Sequence, residues 1–330
     1  MKTLAAVIAI LCLSAPVSAA NILSYGAVGN GAVDNTAAIQ QALDSNWDVY
    51  IPAGTFCVGR LALNHDHIRI HGDGPASILQ FTAGAGALIT GGPYAVSLSD
   101  VLLVGDDDSQ KMNTVNPTSS AMALNISSQS DSVVDRVTIH GFGEVGIYTN
   151  DSATNQLSHL RISNSTIYNC WDALLVNGPY SEYVLVTNTE IHHNRYGLDI
   201  EAGNFSGSNV RISSNGYGVY LYGGRDPNNG HGNLTGSQIN HSTMDAIYAS
   251  GITIGFNFTG NQIADGPIYF GGCTGINLQG GAIDVQEYDF DGGGANQIEH
   301  NFIYGAYANT VNHNYNGHPD ATVWASNFQR

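Results

Sequence analysis

Six short segments in the second half of the chain align on one another without a gap. They are Gly146-Ile147-Tyr148-Thr149-Asn150, Ala173-Leu174-Leu175-Val176-Asn177, Gly197-Leu198-Asp199-Ile200-Glu201, Gly218-Val219-Tyr220-Leu221-Tyr222, Ala246-Ile247-Tyr248-Ala249-Ser250 and Pro267-Ile268-Tyr269-Phe270-Gly271. They recur every 21 to 28 residues, separated by an apolar strand, a polar turn and a shorter strand with a central Ile. A unit this short cannot bury its own apolar face, so it must stack on its neighbours, which makes the chain a solenoid. Strand alternation sends Ile147, Leu174, Leu198, Val219, Ile247 and Ile268 inward, with Thr149, Val176, Ile200, Leu221, Ala249 and Phe270 as a second inward column. Ile68-Ile70, Ile78-Leu79, Val101-Leu103 and Val137-Ile139 read as earlier rungs. After Ile276 the pattern is less regular, and irregular C-terminal coils are expected over about 276–330. Forty glycines and only 11% charged residues suit many strands joined by turns.

Residues 1–20 carry Lys2, an apolar run from Leu4 to Leu13 and small residues at Val17-Ser18-Ala19, the pattern of a secretory signal peptide. The remainder, 21–330, reads as a single domain, with no later run approaching the ~20 apolar residues of a membrane span. A secreted protein, extracellular or periplasmic, is expected. The formal charge is −17, and removing Lys2 makes it −17 − 1 = −18. Such a field repels nucleic acid and anionic membranes, and disfavours polyanionic glycans unless a cation bridges them. With Cys12 in the signal, Cys57, Cys170 and Cys273 remain, an odd number that cannot all pair. They read as small, buried, unpaired residues of the coil interior.

The segment YGAVGNGAVDNTAAIQQALDSNWDVYIPAGTF, Tyr25 to Phe56, reads as a cap on the stack. Gly26, Gly29 and Gly31 allow a left-handed loop, Asp34 offers an N-cap carboxylate, and Ala38, Ile39, Ala42 and Leu43 fall on one helical face. Val49-Tyr50-Ile51 and Thr55-Phe56-Cys57-Val58 are strands about a Pro52-Ala53-Gly54 turn. This order resembles the N-terminal region of the pectate-lyase-like superfamily, except that Asn30 and Asn35 stand where that family often has Asp. The resemblance implies an all-β fold, a single-stranded right-handed parallel β-helix with a short N-terminal capping helix, residues 21–58 forming the cap and first strands. It also implies a carbohydrate-active hydrolase, lyase or epimerase, or a tailspike-like glycan binder. The N-T-D, D-D, H-G and R-I-K set of polygalacturonases is missing, which argues against pectin hydrolysis.

The outward column of the aligned strands is Tyr148, Leu175, Asp199, Tyr220, Tyr248 and Tyr269, followed two residues later by Asn150, Asn177, Glu201, Tyr222, Ser250 and Gly271. At ~4.8 Å per rung these rows form a ribbon about 20 Å long, with tyrosine rings on which sugars are expected to lie. Asp199 and Glu201, at i and i+2, put their Cα atoms ~6.5–7 Å apart on one face. That spacing suits a carboxylate pair hydrolysing a glycosidic bond, one protonating the leaving oxygen and the other activating water or attacking carbon. Asp172, Asp245 and Arg195 sit in turns just before these strands and can overhang the same face. The loop from Gly223 to Asn233 brings Arg225 and His231, either able to orient substrate. Tyr148, Tyr220, Tyr222, Tyr248, Tyr269, Asn177 and His231 are the candidate substrate-binding residues.

No metal site is expected. His192 and His193 should face opposite sides of a strand, and no cofactor is required. Calcium remains possible at Asp106-Asp107-Asp108 or among Asp284, Glu287, Asp289 and Asp291, although neither is an EF-hand loop. The leading function is a secreted glycoside hydrolase acting on a polysaccharide through Asp199 and Glu201. A calcium-assisted polyuronate lyase is the second, with Arg195 or Arg225 as base, since no lysine is expected near the groove. A non-catalytic glycan-binding or surface-structural β-helix is the third, with homo-oligomers possible through exposed strand ends.

Overall fold

The computed structural model describes residues 19–82, 88–91, 95–127, 131–149, 159–178, 181–223, 230–284, 288–294, 296–303, 311–313, 323–325 and 328–329. The expected signal peptide, Asn150, Arg225 and Glu287 therefore lie wholly or almost wholly outside the described residues. The chain winds through three parallel sheets, here I, II and III, of thirteen, thirteen and eleven strands. One coil runs Val184–Thr187 in sheet I, Glu190–His192 in sheet II and Tyr196–Ile200 in sheet III, before Asn204–Ser208 re-enters sheet I. This is a right-handed parallel β-helix. Helix α1 (Thr36–Ser45) covers the first coils with buried Ile39, Ala42 and Leu43.

The expected register holds residue for residue. Tyr148, Leu175, Asp199, Tyr220, Tyr248 and Tyr269 are successive partners along sheet III. Both inward columns are fully buried, from Ile147 and Thr149 to Ile268 and Phe270. Six rungs of such residues remove enough apolar surface from water to drive the stacking, at roughly 25 cal/mol per Å².

From the coil that starts at Ser97 to the one that ends at Ile303, each coil turns from sheet I to sheet II on one left-handed residue. Asp100, Arg136, Asn164, Asn188, Asn209, Gly236, Gly260, Gly280 and His300 occupy this place, with φ between 49° and 66°. The N–H of each, as far as Gly280, donates to a carbonyl one coil on, for example Asn164 to Thr187 and Asn188 to Ser208. Left-handed backbone costs an ordinary L-residue ~1–2 kcal/mol, less for Asn and Asp, whose short polar side chains bond locally. Of the sixteen non-glycine residues with positive φ among the described residues, twelve are Asn, Asp or His. That bias is why the polar turns of the repeat are rich in these types.

Where sheet II turns toward sheet III, fully buried asparagines satisfy the backbone. Asn215 Oδ1 accepts from both the backbone N and Nδ2 of Asn194 at 3.0 Å, and Asn215 Nδ2 donates to Ile191 O. Asn194 Oδ1 in turn accepts from Cys170 N.

Four local expectations need correction. Helix α1 is capped at Asn35, not Asp34; the Asp34 carboxylate accepts from Thr36 N and Thr36 Oγ1 one step earlier. Gly26 and Gly31 have positive φ, but Gly29 does not: its role is close approach, since a Cβ there would lie 2.8 Å from the Phe56 ring. Cys57 is half-buried because it alternates outward in its strand, while Cys170 and Cys273 are buried, and all three are free. Burial pushes the Cys170 thiol up to about 12 and that of Cys273 to about 11, so both are inert. Beyond Ile276, where irregular coils are expected, the described strands continue all three sheets, and Ile276, Leu278, Ile283 and Ile298 are buried as in earlier rungs.

Replacing Asn215 by Leu should strand two donors of Asn194 and the carbonyl of Ile191, lowering unfolding free energy by about 2–3 kcal/mol. A urea unfolding midpoint unchanged from that of the parent chain would contradict this account of the turn.

Candidate active site

The strands of sheet III do not alternate strictly, and the break creates the site. A Cβ on Gly197 would lie 3.1 Å from Ile212 Cγ2, and one on Gly218 2.7 Å from Ile239 Cγ2, both in the interior. Gly197 and Leu198 therefore both face inward, as do Gly218 and Val219, and Ala173 and Ala246 take the same corner place in their coils. The residue before each small one is thrown back outside. Asp172, Tyr196 and Tyr217 thus form an additional outward row, in register with one another and beside the row of Asp199 and Tyr220.

These two rows interlock. Tyr196 stacks on Tyr217 with centroids 5.0 Å apart and planes at 6°, and Tyr220 stacks on Tyr248 at 4.9 Å and Tyr248 on Tyr269 at 4.8 Å. Between rows the contacts are edge to face, Tyr196 on Tyr220 at 5.0 Å and Tyr217 on Tyr220 at 5.4 Å. Tyr222 lies offset from Tyr220 at 6.2 Å. Rings on successive coils thus cover part of one another's faces. Burial raises the pKa of Tyr220 above its ordinary value, helped by the Asp199 charge, and burial likewise raises those of Tyr196 and Tyr217. Their hydroxyls stay protonated at neutral pH.

Asp172 and Asp199 lie in the outward rows of sheet III, while Glu201, expected on the same strand as Asp199, falls just past its end at Ile200; the three are only 6%, 5% and 6% exposed. This departs from solvated carboxylates on an open ribbon. Arg195 closes the upstream side, its guanidinium carbon 5.8 Å from the Trp171 ring, 5.8 Å from Tyr196 and 5.3 Å from Tyr217. Among the described residues it makes no ion pair with a carboxylate. Its Nη1 donates to Met112 O at 3.4 Å, 83 residues away in sequence.

Met112 belongs to a long excursion, residues 105–120, that runs across the coils as a wall. Gly105 N and Asp107 N donate to His140 O and Gly141 O, Lys111 N to His193 O, and Thr118 N back to Gly143 O. The Lys111 side chain is fully buried, its Nζ donating to Asp107 O, Ser109 O and Ser109 Oγ at 2.8–2.9 Å, with Asp107 Oδ2 at 3.1 Å. A lysine does lie beside the groove, against expectation, but these bonds tie its amine into the wall.

The model of the family described as rhamnogalacturonase A/epimerase, pectate lyase-like, matches residues 19–228. The chain belongs to this family. No curated protein sequence matches it. Among solved structures, the A-module of the Azotobacter vinelandii mannuronan C-5 epimerase AlgE4 is similar with a TM-score of 0.65 at 16% identity, covering 94% of this chain and 99% of that one. The Agl-KA catalytic domain gives 0.61 at 18% identity, covering 100% and 70%. The Dettilon tailspike protein gives 0.61 at 12%, covering 94% and 68%. At these identities the likeness is one of fold. Membership of the pectate-lyase-like family makes the chain a relative of carbohydrate-modifying enzymes, within a polysaccharide-acting family. Among the described residues no helix is long and apolar enough to cross a membrane.

Within this family member the candidate residues divide. Asp172, Arg195, Asp199, Tyr220, Tyr222, Tyr248 and Tyr269 all lie on or beside the outer face of sheet III. Tyr148 lies on the same face on an earlier coil, with Leu175 between Tyr148 and Asp199, whereas Asn177 and Glu201 follow directly on the ends of the strands Asp172–Val176 and Tyr196–Ile200. His231 is not in this sheet: it opens the strand His231–Thr235 of sheet I, paired with Asn204 around the corner from Glu201. Trp171, Tyr196 and Tyr217 were not expected in the site. The available signal was the repeated Tyr-Gly pair, Tyr196-Gly197 and Tyr217-Gly218, in which the small residue breaks the alternation.

His193 has φ of 59°, so the His192 and His193 rings meet, with their Nδ1 atoms 2.6 Å apart, instead of facing opposite sides. Asp106, Asp107 and Asp108 turn to different partners: Ser119, then Ser109 with Lys111, then His140 with Asn169. Among the described residues no three His, Cys, Asp or Glu side chains gather as metal ligands. The side chains of Asp289 and Asp291 lie outside the described residues.

Asp107 provides a pH test of the wall. Burial alone would raise its pKa, but hydrogen bonds from Ser109, Thr118 and Lys111 outweigh that and hold the carboxyl well below the ordinary range. The unfolded chain takes up this proton near pH ~3.9, before the folded one does. The stabilisation is therefore present above about pH 4 and lost as pH falls further. Asp107→Asn should be less stable than the parent chain at pH 6, and the gap should hold down to about pH 4 and narrow progressively below it. A gap independent of pH in urea unfolding would rule out the linkage.

Proposed function

We propose that this chain hydrolyses a glycosidic bond of a polysaccharide, with Asp199 and Glu201 as the reacting carboxyls. The observation that supports this reading is that both carboxyls are nearly buried at the end of one sheet III strand, Asp199 within Tyr196–Ile200 and Glu201 directly after it, beside the tyrosine rows. One carboxyl protonates the leaving oxygen while the other activates water or attacks the anomeric carbon, at a Cα separation of ~6.5–7 Å. Two carboxyls at this range disfavour simultaneous ionisation, which keeps one proton available as the acid. Tyr196, Tyr217, Tyr220 and Tyr248 hold sugar hydroxyls through their own hydroxyls, and Asp172 and Arg195 fix the upstream side. Tyr148, Tyr222, Tyr269 and Asn177 extend the groove. No cofactor is required, and export from the cell follows from the signal-like residues 1–20.

A second reading, β-elimination or epimerisation of a uronate, draws on Arg195. A guanidinium held by three rings with no carboxylate partner among the described residues is suited to a substrate carboxylate, with bound calcium as an auxiliary cation. The raised tyrosine pKa values work against a phenolate base, which keeps hydrolysis first.

Purified protein incubated with neutral and uronic polysaccharides, with calcium or chelator, should release reducing ends without unsaturated sugars. Asp199→Asn and Glu201→Gln should each cut turnover by about 10²–10⁴-fold while leaving the unfolding midpoint near that of the parent chain. Unsaturated ends, or solvent deuterium at a sugar carbon without cleavage, would transfer the case to the uronate reading. Glycan retention with no product from any substrate would favour a non-catalytic binder.

A further inference from the structure

We infer that the N-terminal cap carries a second glycan-binding site, centred on Trp47 and built for a neutral polysaccharide. The inference rests on the polysaccharide part of the proposed function and not on the hydrolysis. Trp47 follows helix α1 and precedes the strand Asp48–Ile51, and it is 72% exposed. An indole left this open forgoes a large apolar burial, whereas the equivalent face of most tryptophans is covered. It borders a depression of about 480 Å³ lined by Trp47, Asn64, His65, Asp66 and His67.

The lining is fixed before any ligand arrives. Asn64 Nδ2 donates to Asp44 Oδ1 at 3.0 Å and His65 Nε2 lies 2.5 Å from Asp44 O, which ties the loop to helix α1. Arg69 N donates to Trp47 O at 2.7 Å, and His67 holds a left-handed backbone with φ of 60°. A preformed site spends little affinity on ordering. An open indole face beside amide, imidazole and carboxylate groups matches the two sides of a sugar, an apolar C–H face and a rim of hydroxyls that both donate and accept. Asp44 and Asp66 beside the depression, and the charge of −17, exclude a polyanion and select a neutral chain.

The position gives this site a use. Asn64 to His67 form the corner between the sheet III strand Leu61–Leu63 and the sheet I strand Arg69–Gly72. Glu201 enters the same corner five strands further along sheet III, about 24 Å away at ~4.8 Å per coil. A polymer held at Trp47 is thereby kept near the groove, whereas a short oligosaccharide in the groove cannot reach it.

Retention of the full chain on insoluble neutral glucans, mannans and xylans tests this, comparing the parent chain with Trp47→Ala and Trp47→Phe. Trp47→Ala should weaken binding to the retained polymer at least tenfold, Trp47→Phe should recover part of it, and turnover of short soluble oligosaccharides should stay unchanged. Equal retention of all three proteins, no retention of the parent chain on any neutral polymer, or a parent dimer that Trp47→Ala converts to monomer in sedimentation would each overturn the site. Trp47-dependent retention without product from any polymer would leave it standing while removing the hydrolase reading.

Discussion

One residue per coil, held in left-handed backbone between sheets I and II, is the constraint on which the rest of the molecule depends. Its N–H reaches a carbonyl of the next coil, so the sharp turn is bonded along the axis as well as within its own coil. Coils that turn at the same place superpose, and superposed coils force side chains of equivalent positions into columns one rung apart. Everything functional here is a property of columns: the apolar interior, the asparagine stack at Asn194 and Asn215, and the tyrosine rows. A coil whose turn slipped by one residue would carry its inward side chains to the surface. The composition of the turn is therefore as much a determinant of the groove as the residues that line it.

Much of this was legible in the chain because a period of two is rigid. Once the six segments were aligned, Ile147 and Thr149 had to be inside and Tyr148 outside, and the same held on every coil to Phe270. What alternation could not reveal is where it fails. Gly197 and Gly218 are small enough to share the interior with Leu198 and Val219, and that doubling turns out Tyr196 and Tyr217. Nor could local pattern supply the wall of residues 105–120, because Met112 meets Arg195 across 83 residues and Lys111 meets His193 across 82.

The stacking of the tyrosines changes the chemistry that the pectate-lyase-like groove can offer. A coil spacing of ~4.8 Å is close to the separation of offset aromatic rings, so tyrosines in adjacent coils satisfy one another before a ligand arrives. Low exposure keeps those phenols protonated, so they serve as donors and acceptors without contributing charge.

The charges near the groove are distributed to the same end. Lys111 is buried and consumed by Asp107 and Ser109, so its cation stabilises the wall and does not act as a free base. Arg195 keeps its charge but spends it on three rings, a setting in which a guanidinium is held flat with its edge still available for hydrogen bonding. In a chain of charge −17 a single such cation does not reverse the local field, but it leaves one place where negative charge is favoured. That place is beside Tyr196, which meets Tyr220 edge to face, and the charge of Asp199 acts on both phenols. Charge therefore varies across the sheet as well as along it: Arg195 and Asp199 belong to one coil, at opposite ends of the strand Tyr196–Ile200, whereas the following coils present tyrosines at Tyr220, Tyr248 and Tyr269.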